Sequence, residues 1–197
     1  MWPWEHLAVG YLCYSLWIHW RHGRPPAGAP VVAIVVATQF PDLVDKPLAW
    51  WLGVLPSGRS LGHSLFFAAP VTTFVWLFFG RRIGVAFAIG YASHLITDVI
   101  HPAMLGGSFD YTFLVWPLIE RPQTGADSLL VQTQLVLANF GELVTSPEGI
   151  SYLLFNALLV GAAALLWAYD GFPGLHPASY RRDETGRNRS EPKSTDP

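Results

Sequence analysis

The chain has few charged residues and almost no cysteine. Only 13% of its 197 residues are charged, where about a quarter is usual in a soluble domain. A net charge of −2, with no basic stripe among the aromatic residues, argues against nucleic acid as a partner. The one cysteine, Cys13, lies in an apolar run, which excludes a disulfide within the chain and argues against thiol catalysis.

The chain is rich in hydrophobic residues. Hydrophobic residues make up 51% of the chain, and the mean hydropathy is +0.32. These values predict a membrane protein. The first six residues lack the positive region of a cleaved signal peptide, so the first apolar segment is expected to remain in the protein.

Five apolar segments are separated by polar turns, at residues 7–20, 31–40, 65–80, 83–99 and 150–168. A membrane-spanning helix needs about 20 apolar residues, with a range of roughly 17–25. By this rule the last three segments are candidates and the first is short. The second is too short unless it begins in the interface or is buried between other helices. The sequence therefore predicts an all-α, polytopic membrane helical bundle of four or five spanning or partly buried helices.

Two further helices and a tail are predicted outside these segments. Residues 48–55, with Trp50 and Trp51, are typical of an interfacial helix. Residues 128–143 could form one amphipathic helix. From Gly171 the sequence is rich in Arg, Asp, Ser and Pro, which is typical of disorder. The expected division is a helical membrane domain at 1–170 and a polar tail at 171–197.

The basic residues predict an orientation. Of the twelve lysines and arginines, nine fall at one end of the segments or in the tail, namely Arg21, Arg24, Arg81, Arg82, Arg181, Arg182, Arg187, Arg189 and Lys193. Only Lys46, Arg59 and Arg121 fall at the other end. The positive-inside rule places the larger group and the tail in the cytoplasm. The protein is thus expected in the inner or plasma membrane, with the opposite ends of its segments at the extracytoplasmic face.

Histidines and aspartates collect at that opposite face. His94 and Asp98 are four residues apart in a helical run and share one side of it, as a pair of zinc ligands would. The alternative is a core histidine bonded to Asp98. A membrane aspartate costs roughly 2.5–3.5 kcal/mol and is functional by default, which favours a site. His101 continues the same side, and Pro102 is expected to bend the chain.

Two more motifs stand at the same ends. Pro41 is expected to end one helix and Asp42 to cap the next. A carboxylate at this boundary, where Asp45 also lies, could instead bridge two metal ions. Capping and solvation alone would explain both aspartates. Ser60 is expected to cap the third segment and leave His63 in its first turn. Arg59 suits a phosphate or carboxylate, or else a lipid headgroup.

The remaining histidines are divided between the two ends. His6 follows Glu5 at the start of the first segment, where the two could be an interfacial polar pair or part of the same site. His19, His22 and His176 lie at the basic end or beyond it, and we interpret them as structural or solvated.

The set His6, Pro41-Asp42-x-x-Asp45, Arg59-x-x-x-His63-Ser64 and Gly90-x-x-Ser93-His94-x-x-x-Asp98, followed by Pro102 and Trp116-Pro117, resembles a family of membrane-bound metal-dependent hydrolases. Its members are described as LexA-binding and inner-membrane-associated. The resemblance runs from about His6 to Leu118, and the motif order is also similar to that of zinc-dependent phospholipase C. It implies metal ligation by His6, Asp42, His63, His94 and Asp98, with Asp45 a further candidate. Gly62 and His101 depart from the family, which usually has threonine at these two places.

These residues predict a hydrolase that cleaves an ester or phosphodiester, in a lipid or other envelope component, with a metal-activated water. One or two divalent cations are expected, zinc first and manganese second. Asp45, or whichever carboxylate stays off the metal, would serve as general base, and Arg59 would stabilise developing charge. The partners would be membrane lipid and a small-molecule or lipid substrate, and the residues give no basis for a LexA-binding role. The alternatives are a non-enzymatic protein with a structural metal site or cation pathway, or polar groups that satisfy one another without metal.

Overall fold

The computed structural model describes residues 1–120 and 129–175. Within these residues it contains six α-helices and a short 3₁₀ helix: α1 (Pro3–His22), α2 (Gly28–Trp50), α3 (Leu65–Phe79), α4 (Arg81–Met104), the 3₁₀ helix (Thr112–Val115), α5 (Leu129–Thr145) and α6 (Pro147–Tyr169). The predicted all-α helical bundle is confirmed. Ser128, Arg121, His176 and the basic residues of the tail lie outside the described residues.

Helix α4 forms the centre of the bundle. It packs against α1, α2 and α3, while α1 also contacts α2 and α6, and α5 lies on α6. One apolar cluster joins α1, α2 and α4 around Tyr14, Ile34 and Ala86. A second joins α2, α3, α4 and the 3₁₀ helix around Phe87 and Phe113. This packing brings the ends of α1, α2 and α4 together.

Helices α2 and α4 approach closely because a glycine stands between them. A Cβ built on Gly90 of α4 would lie 2.9 Å from the Cβ of Ala37 and 3.2 Å from the carbonyl oxygen of Ile34. Small residues at such crossings let helix backbones come near each other, which is a common packing device in membrane bundles. The polar residues one turn further along both helices are therefore held within reach of one another.

Three helices, α2, α4 and α6, are long and apolar enough to cross a membrane. Helix α3 is equally apolar but has only 15 residues, so the prediction that its segment reaches spanning length is corrected. Its large side chains Phe74, Leu77 and Phe78 are exposed, as lipid-facing residues would be. The fold is that of an integral membrane protein.

Helix α2 differs most from the sequence expectation. It runs without a break through Pro41 and Pro47, so Pro41 does not end a helix and Asp42 is not an N-cap. A proline inside a helix removes one backbone hydrogen bond, and neighbouring helices can compensate for that loss. The segment predicted as too short is thus a 23-residue helix. Helix α4 likewise continues through Pro102 to Met104.

The connection from α2 to α3 is a compact loop. Helix α2 ends at Trp50, so the interfacial helix predicted over residues 48–55 is not formed. The N-cap of α3 is Ser64, whose hydroxyl accepts a hydrogen bond from the Phe66 amide; Ser60 is not the cap. His63 therefore lies in the loop, directly before α3.

Candidate metal centre

His94 and Asp98 lie one turn apart on the buried side of α4, as predicted. The Nδ1 atom of His94 is 2.7 Å from the carbonyl oxygen of Thr38, to which it donates. The hydrogen of this ring is thereby assigned to Nδ1, and Nε2 is left with a free lone pair. That Nε2 lies 3.8 Å from Oδ2 of Asp98.

His63 enters the same space from the loop before α3. Its Nδ1 donates to Oδ2 of Asp45 at 2.7 Å. Its Nε2 lies 3.1 Å from Nε2 of His94, 3.4 Å from Asp98 Oδ2 and 3.6 Å from Asp42 Oδ1. Burial on its own lowers the pKa of His63, but the bonds to Asp45 and Asp98 outweigh that effect and raise it above its ordinary value.

Asp45 organises the loop that carries His63. Its two oxygens accept hydrogen bonds from the backbone amides of Ser60 (2.7 Å), Gly62 (2.6 Å) and His63 (3.2 Å), in addition to the imidazole. The carboxylate is fully buried. A carboxylate that orients a histidine in this way fixes the ring and its tautomer and raises its basicity as a ligand.

Packing around Gly62 completes the support of this loop. The Tyr91 hydroxyl donates to the Gly62 carbonyl at 2.5 Å. A Cβ on Gly62 would lie 2.8 Å from the carbonyl oxygen of Pro41, so this loop conformation has no room for the threonine usual in the resembling family. The next serine, Ser64, donates to the carbonyl of Trp116 at 2.5 Å, which ties the Trp116-Pro117 motif to the site.

His6 contributes the third imidazole from the start of α1. Its Nδ1 lies 2.9 Å from Oγ1 of Thr97, a hydroxyl that donates to backbone carbonyls of α4 and accepts from the ring. Its Nε2 lies 3.4 Å from Oδ1 of Asp98. The ring is stacked on that of His94 with centroids 3.8 Å apart.

Cations border the cluster on its accessible side. Arg59 Nε lies 3.0 Å from Asp98 Oδ2, and its guanidinium sits over the Phe113 ring. Lys46 Nζ lies 2.5 Å from Asp42 Oδ2. The Met1 nitrogen lies 3.4 Å from Asp98 Oδ1. The side chains of Arg59 (28% exposed), Lys46 (32%) and Asp42 (12%) are the accessible ones, while the three imidazoles are buried.

The geometry fits a divalent cation. Each imidazole has an acceptor for its Nδ1 hydrogen, so three Nε2 lone pairs point toward two carboxylates. A tetrahedral ion with ligand bonds of about 2.0–2.1 Å holds neighbouring donor atoms about 3.3 Å apart, and the distances given above are 3.1–3.8 Å. Two sets of three residues each place their ligand atoms within 4.8 Å of one another. The first set is His6, His94 and Asp98, and the second is Asp42, His63 and His94.

A second buried polar cluster borders the first and was not predicted as a unit. The Tyr152 hydroxyl donates to the Glu5 carboxylate, 2.7 and 2.8 Å from its two oxygens, and lies 3.0 Å from Nε2 of His101. Glu5 is fully buried. The adjacency of Glu5 to His6 was a signal, but nothing in the sequence pointed to Tyr152 on α6.

A third polar cluster fastens the far end of α1 to the end of α6. Asp170 accepts hydrogen bonds from Tyr11 (2.6 Å), Ser15 (2.5 Å) and His19 (2.6 Å). Burial alone raises the pKa of Asp170, but these bonds outweigh it and hold the pKa below its ordinary value. The structural role expected for His19 agrees with this position.

Fold and cluster together define an all-α integral membrane protein with histidines and aspartates gathered at one end of its bundle. The model of the YdjM inner membrane protein family matches residues 1–171, and the chain belongs to that family. No curated protein matches the chain, and no solved structure does. The hydrolase and LexA-binding descriptions, and the membrane face on which the cluster lies, stay predictions.

Proposed function

We propose that the protein is a membrane-embedded, metal-dependent hydrolase whose substrate carries a phosphodiester or other anionic ester. The observation that carries this proposal is the orientation of His6, His63 and His94, each with Nδ1 bonded to a fixed acceptor and Nε2 directed at a carboxylate. Neutral imidazoles placed this way are suited to ligate zinc, and manganese is the second candidate.

In this proposal the metal ligands are His6, Asp42, His63, His94 and Asp98. Asp98 faces all three imidazoles, because its Oδ1 lies near His6 while its Oδ2 lies near His63 and His94. A bound divalent cation would supply Lewis-acid activation of water near neutral pH. The chain's own contribution is to hold the donor atoms in place and to exclude bulk water from the buried side.

Asp45 fits a positioning role better than the role of general base. All its contacts are donors that the fold already supplies, and it is remote from solvent. Asp42 is the more accessible carboxylate, at 12% exposure. If a single ion is held by one of the two ligand sets, the carboxylate of the other set, Asp42 or Asp98, would remove the proton from the attacking water.

The charge around the accessible side favours an anionic substrate. Arg59 and Lys46 are both partly exposed there. The Arg59 guanidinium uses Nε for Asp98 and has further N–H groups for a second partner. Such a group can bind a phosphoryl oxygen with parallel hydrogen bonds and stabilise the charge that develops on it. In a bilayer, a phospholipid or another envelope phosphodiester meets these requirements.

The test is hydrolysis by the full-length protein in nanodiscs. Bis(p-nitrophenyl) phosphate, p-nitrophenyl acetate and vesicle phospholipids would be offered after chelation and after reloading with zinc or manganese. We expect turnover only in the loaded protein, with the phosphodiester preferred. His94→Ala should reduce turnover to background while membrane insertion is unchanged. His22→Ala, at the opposite end of α1, is the matched control. Turnover that is equal in His94→Ala and wild type would refute the proposal.

The same preparation distinguishes the proposed catalytic site from the alternative, a structural metal site in a protein that is not an enzyme. A structural metal site is closed by four protein ligands, whereas a catalytic site keeps one position for water. X-ray absorption of the zinc-loaded protein counts the ligands and detects a coordinated water. Four protein donors, no water and no turnover on any of the three substrates would favour a structural site.

A further inference from the structure

A cavity of about 760 Å³ lies at the end of the bundle opposite the histidine and aspartate cluster. It is formed by the end of α1, the turn that follows, the start of α2, the end of α3 and the start of α4. Along α4, Arg81 at this cavity and Asp98 at the cluster are separated by 17 residues, or about 25 Å. The cavity is therefore separate from the proposed hydrolase site.

Four arginines surround this cavity: Arg21, Arg24, Arg81 and Arg82. All four are exposed. Across residues 1–120 and 129–175, none of them has a carboxylate within ion-pair distance, whereas Arg59 and Lys46 at the other end both do. The basic end of the bundle thus concentrates positive charge that the described part of the chain does not neutralise.

Backbone amides at the cavity offer further hydrogen-bond donors. Helices α2 and α4 both begin at the cavity, and neither N-cap, Ala27 or Gly80, caps its helix with a side chain. The first amides of a helix lack internal acceptors and carry the positive end of the helix dipole. The C-termini of α1 and α3 lie at the same cavity and offset these two dipoles, so the four guanidinium groups supply the charge that makes an anion the complementary ligand.

The rest of the lining is apolar. Trp17, Ile18, Phe79 and Ile83 form walls, and Tyr14 lies among them. The volume falls within the range of roughly 300–1,000 Å³ that is usual for small-molecule sites. A ligand that fills this space needs an anionic group for the rim and an apolar part for the walls.

We propose that this cavity binds the phosphodiester headgroup of an acidic phospholipid, with the glycerol and the first acyl carbons against the aromatic walls. Guanidinium groups bind phosphate oxygens with two parallel hydrogen bonds. Helices α2 and α4 are candidate spans that both start here, so the cavity opens at the level of lipid headgroups. Basic pockets between membrane helices commonly hold such lipids.

The experiment titrates purified full-length protein in detergent with phosphatidylglycerol or phosphatidylcholine and counts bound lipid by native mass spectrometry. We expect phosphatidylglycerol to bind about tenfold tighter, because both lipids carry a phosphodiester but only phosphatidylcholine carries an ammonium group, which the four guanidinium groups repel. The variants Arg81→Gln/Arg82→Gln and Arg21→Gln/Arg24→Gln should each abolish this preference. Arg181→Gln/Arg182→Gln, which removes the same charge from the tail, should retain it. Size-exclusion profiles and thermal unfolding verify that each variant is folded.

Three results would overturn the proposal. The first is a lipid preference that survives both cavity variants. The second is an equal loss in the tail variant, which would show that net charge alone attracts the lipid. The third is complete displacement of phosphatidylglycerol by inorganic phosphate at matched ionic strength, which would identify the cavity as a site for soluble phosphate.

Discussion

The Nε2 atoms of His63 and His94 lie 3.1 Å apart, although each ring donates its Nδ1 hydrogen in another direction. Two imidazole lone pairs at this distance repel each other unless a proton or a cation lies between them. The raised pKa of His63, which its bonds to Asp45 and Asp98 cause against the effect of burial, provides for a proton. A divalent cation would take that place more strongly, because it draws on both carboxylates and on His6 as well.

Replacement of His63 by glutamine should remove most of the bound metal. The change deletes one Nε2 donor and leaves Asp45 without its imidazole partner. We expect zinc content, measured by plasma mass spectrometry on protein in nanodiscs, to fall by more than half. His22→Gln is the matched control, since His22 lies at the other end of α1. Equal zinc in the two variants would contradict the ligand assignment.

Asp45→Asn should weaken metal binding through the orientation of His63. Loss of a partner that orients a metal-ligating histidine typically costs about 10–100-fold in metal affinity or activity. We expect the zinc dissociation constant, measured by chelator competition, to rise by that factor. Turnover should return toward the wild-type value when zinc is added in excess. If Asp45 is instead the general base, kcat stays low at saturating zinc.

Gly62→Ala should destabilise the protein by about 1–3 kcal/mol, the usual cost of overpacking. The added Cβ would lie 2.8 Å from the Pro41 carbonyl oxygen and 3.2 Å from Val44 Cβ, so the loop or α2 must shift. Gly161→Ala on α6 is the control, because no atom lies within 4 Å of the Cβ it would add. Thermal unfolding in one detergent compares them, and Tm should fall for Gly62→Ala only. A Tm equal to wild type would show that the loop adapts.

Asp170→Asn should lower stability by about 2 kcal/mol at neutral pH, since it weakens charge-assisted hydrogen bonds from Tyr11, Ser15 and His19. Because the pKa of Asp170 is held below its ordinary value, the stabilisation is present above about pH 4. It is lost as the pH falls through the folded-state value. The difference in Tm between wild type and variant should therefore shrink below about pH 4. A difference that stays constant as the pH falls well below about 4 would exclude an ionised Asp170 as its source.

Much of the fold followed from hydropathy, because a membrane segment must satisfy its own backbone and is therefore a helix. The predictions that were wrong concerned the effect of prolines on helices and the length of the helices. Pro41 and Pro102 were expected to break or bend helices, yet α2 and α4 continue through them, since packed neighbours compensate for one missing hydrogen bond. The loop over residues 51–64 could not be foreseen, because its backbone amides are satisfied by Asp45, a residue on another element.

The sequence by itself determined that the chain crosses a membrane and that His6, Asp42, His63, His94 and Asp98 collect at one end of the bundle, since both follow from where apolar runs begin and end. Only the tertiary structure distinguished Asp42 from Asp45. They lie one turn apart on the same helix, yet they contact opposite nitrogens of His63. Asp42 Oδ1 lies 3.6 Å from Nε2, while Asp45 accepts a hydrogen bond from Nδ1. The reason is physical: a carboxylate takes its role from the donors around it, and the donors that distinguish these two lie on another element, the loop before α3.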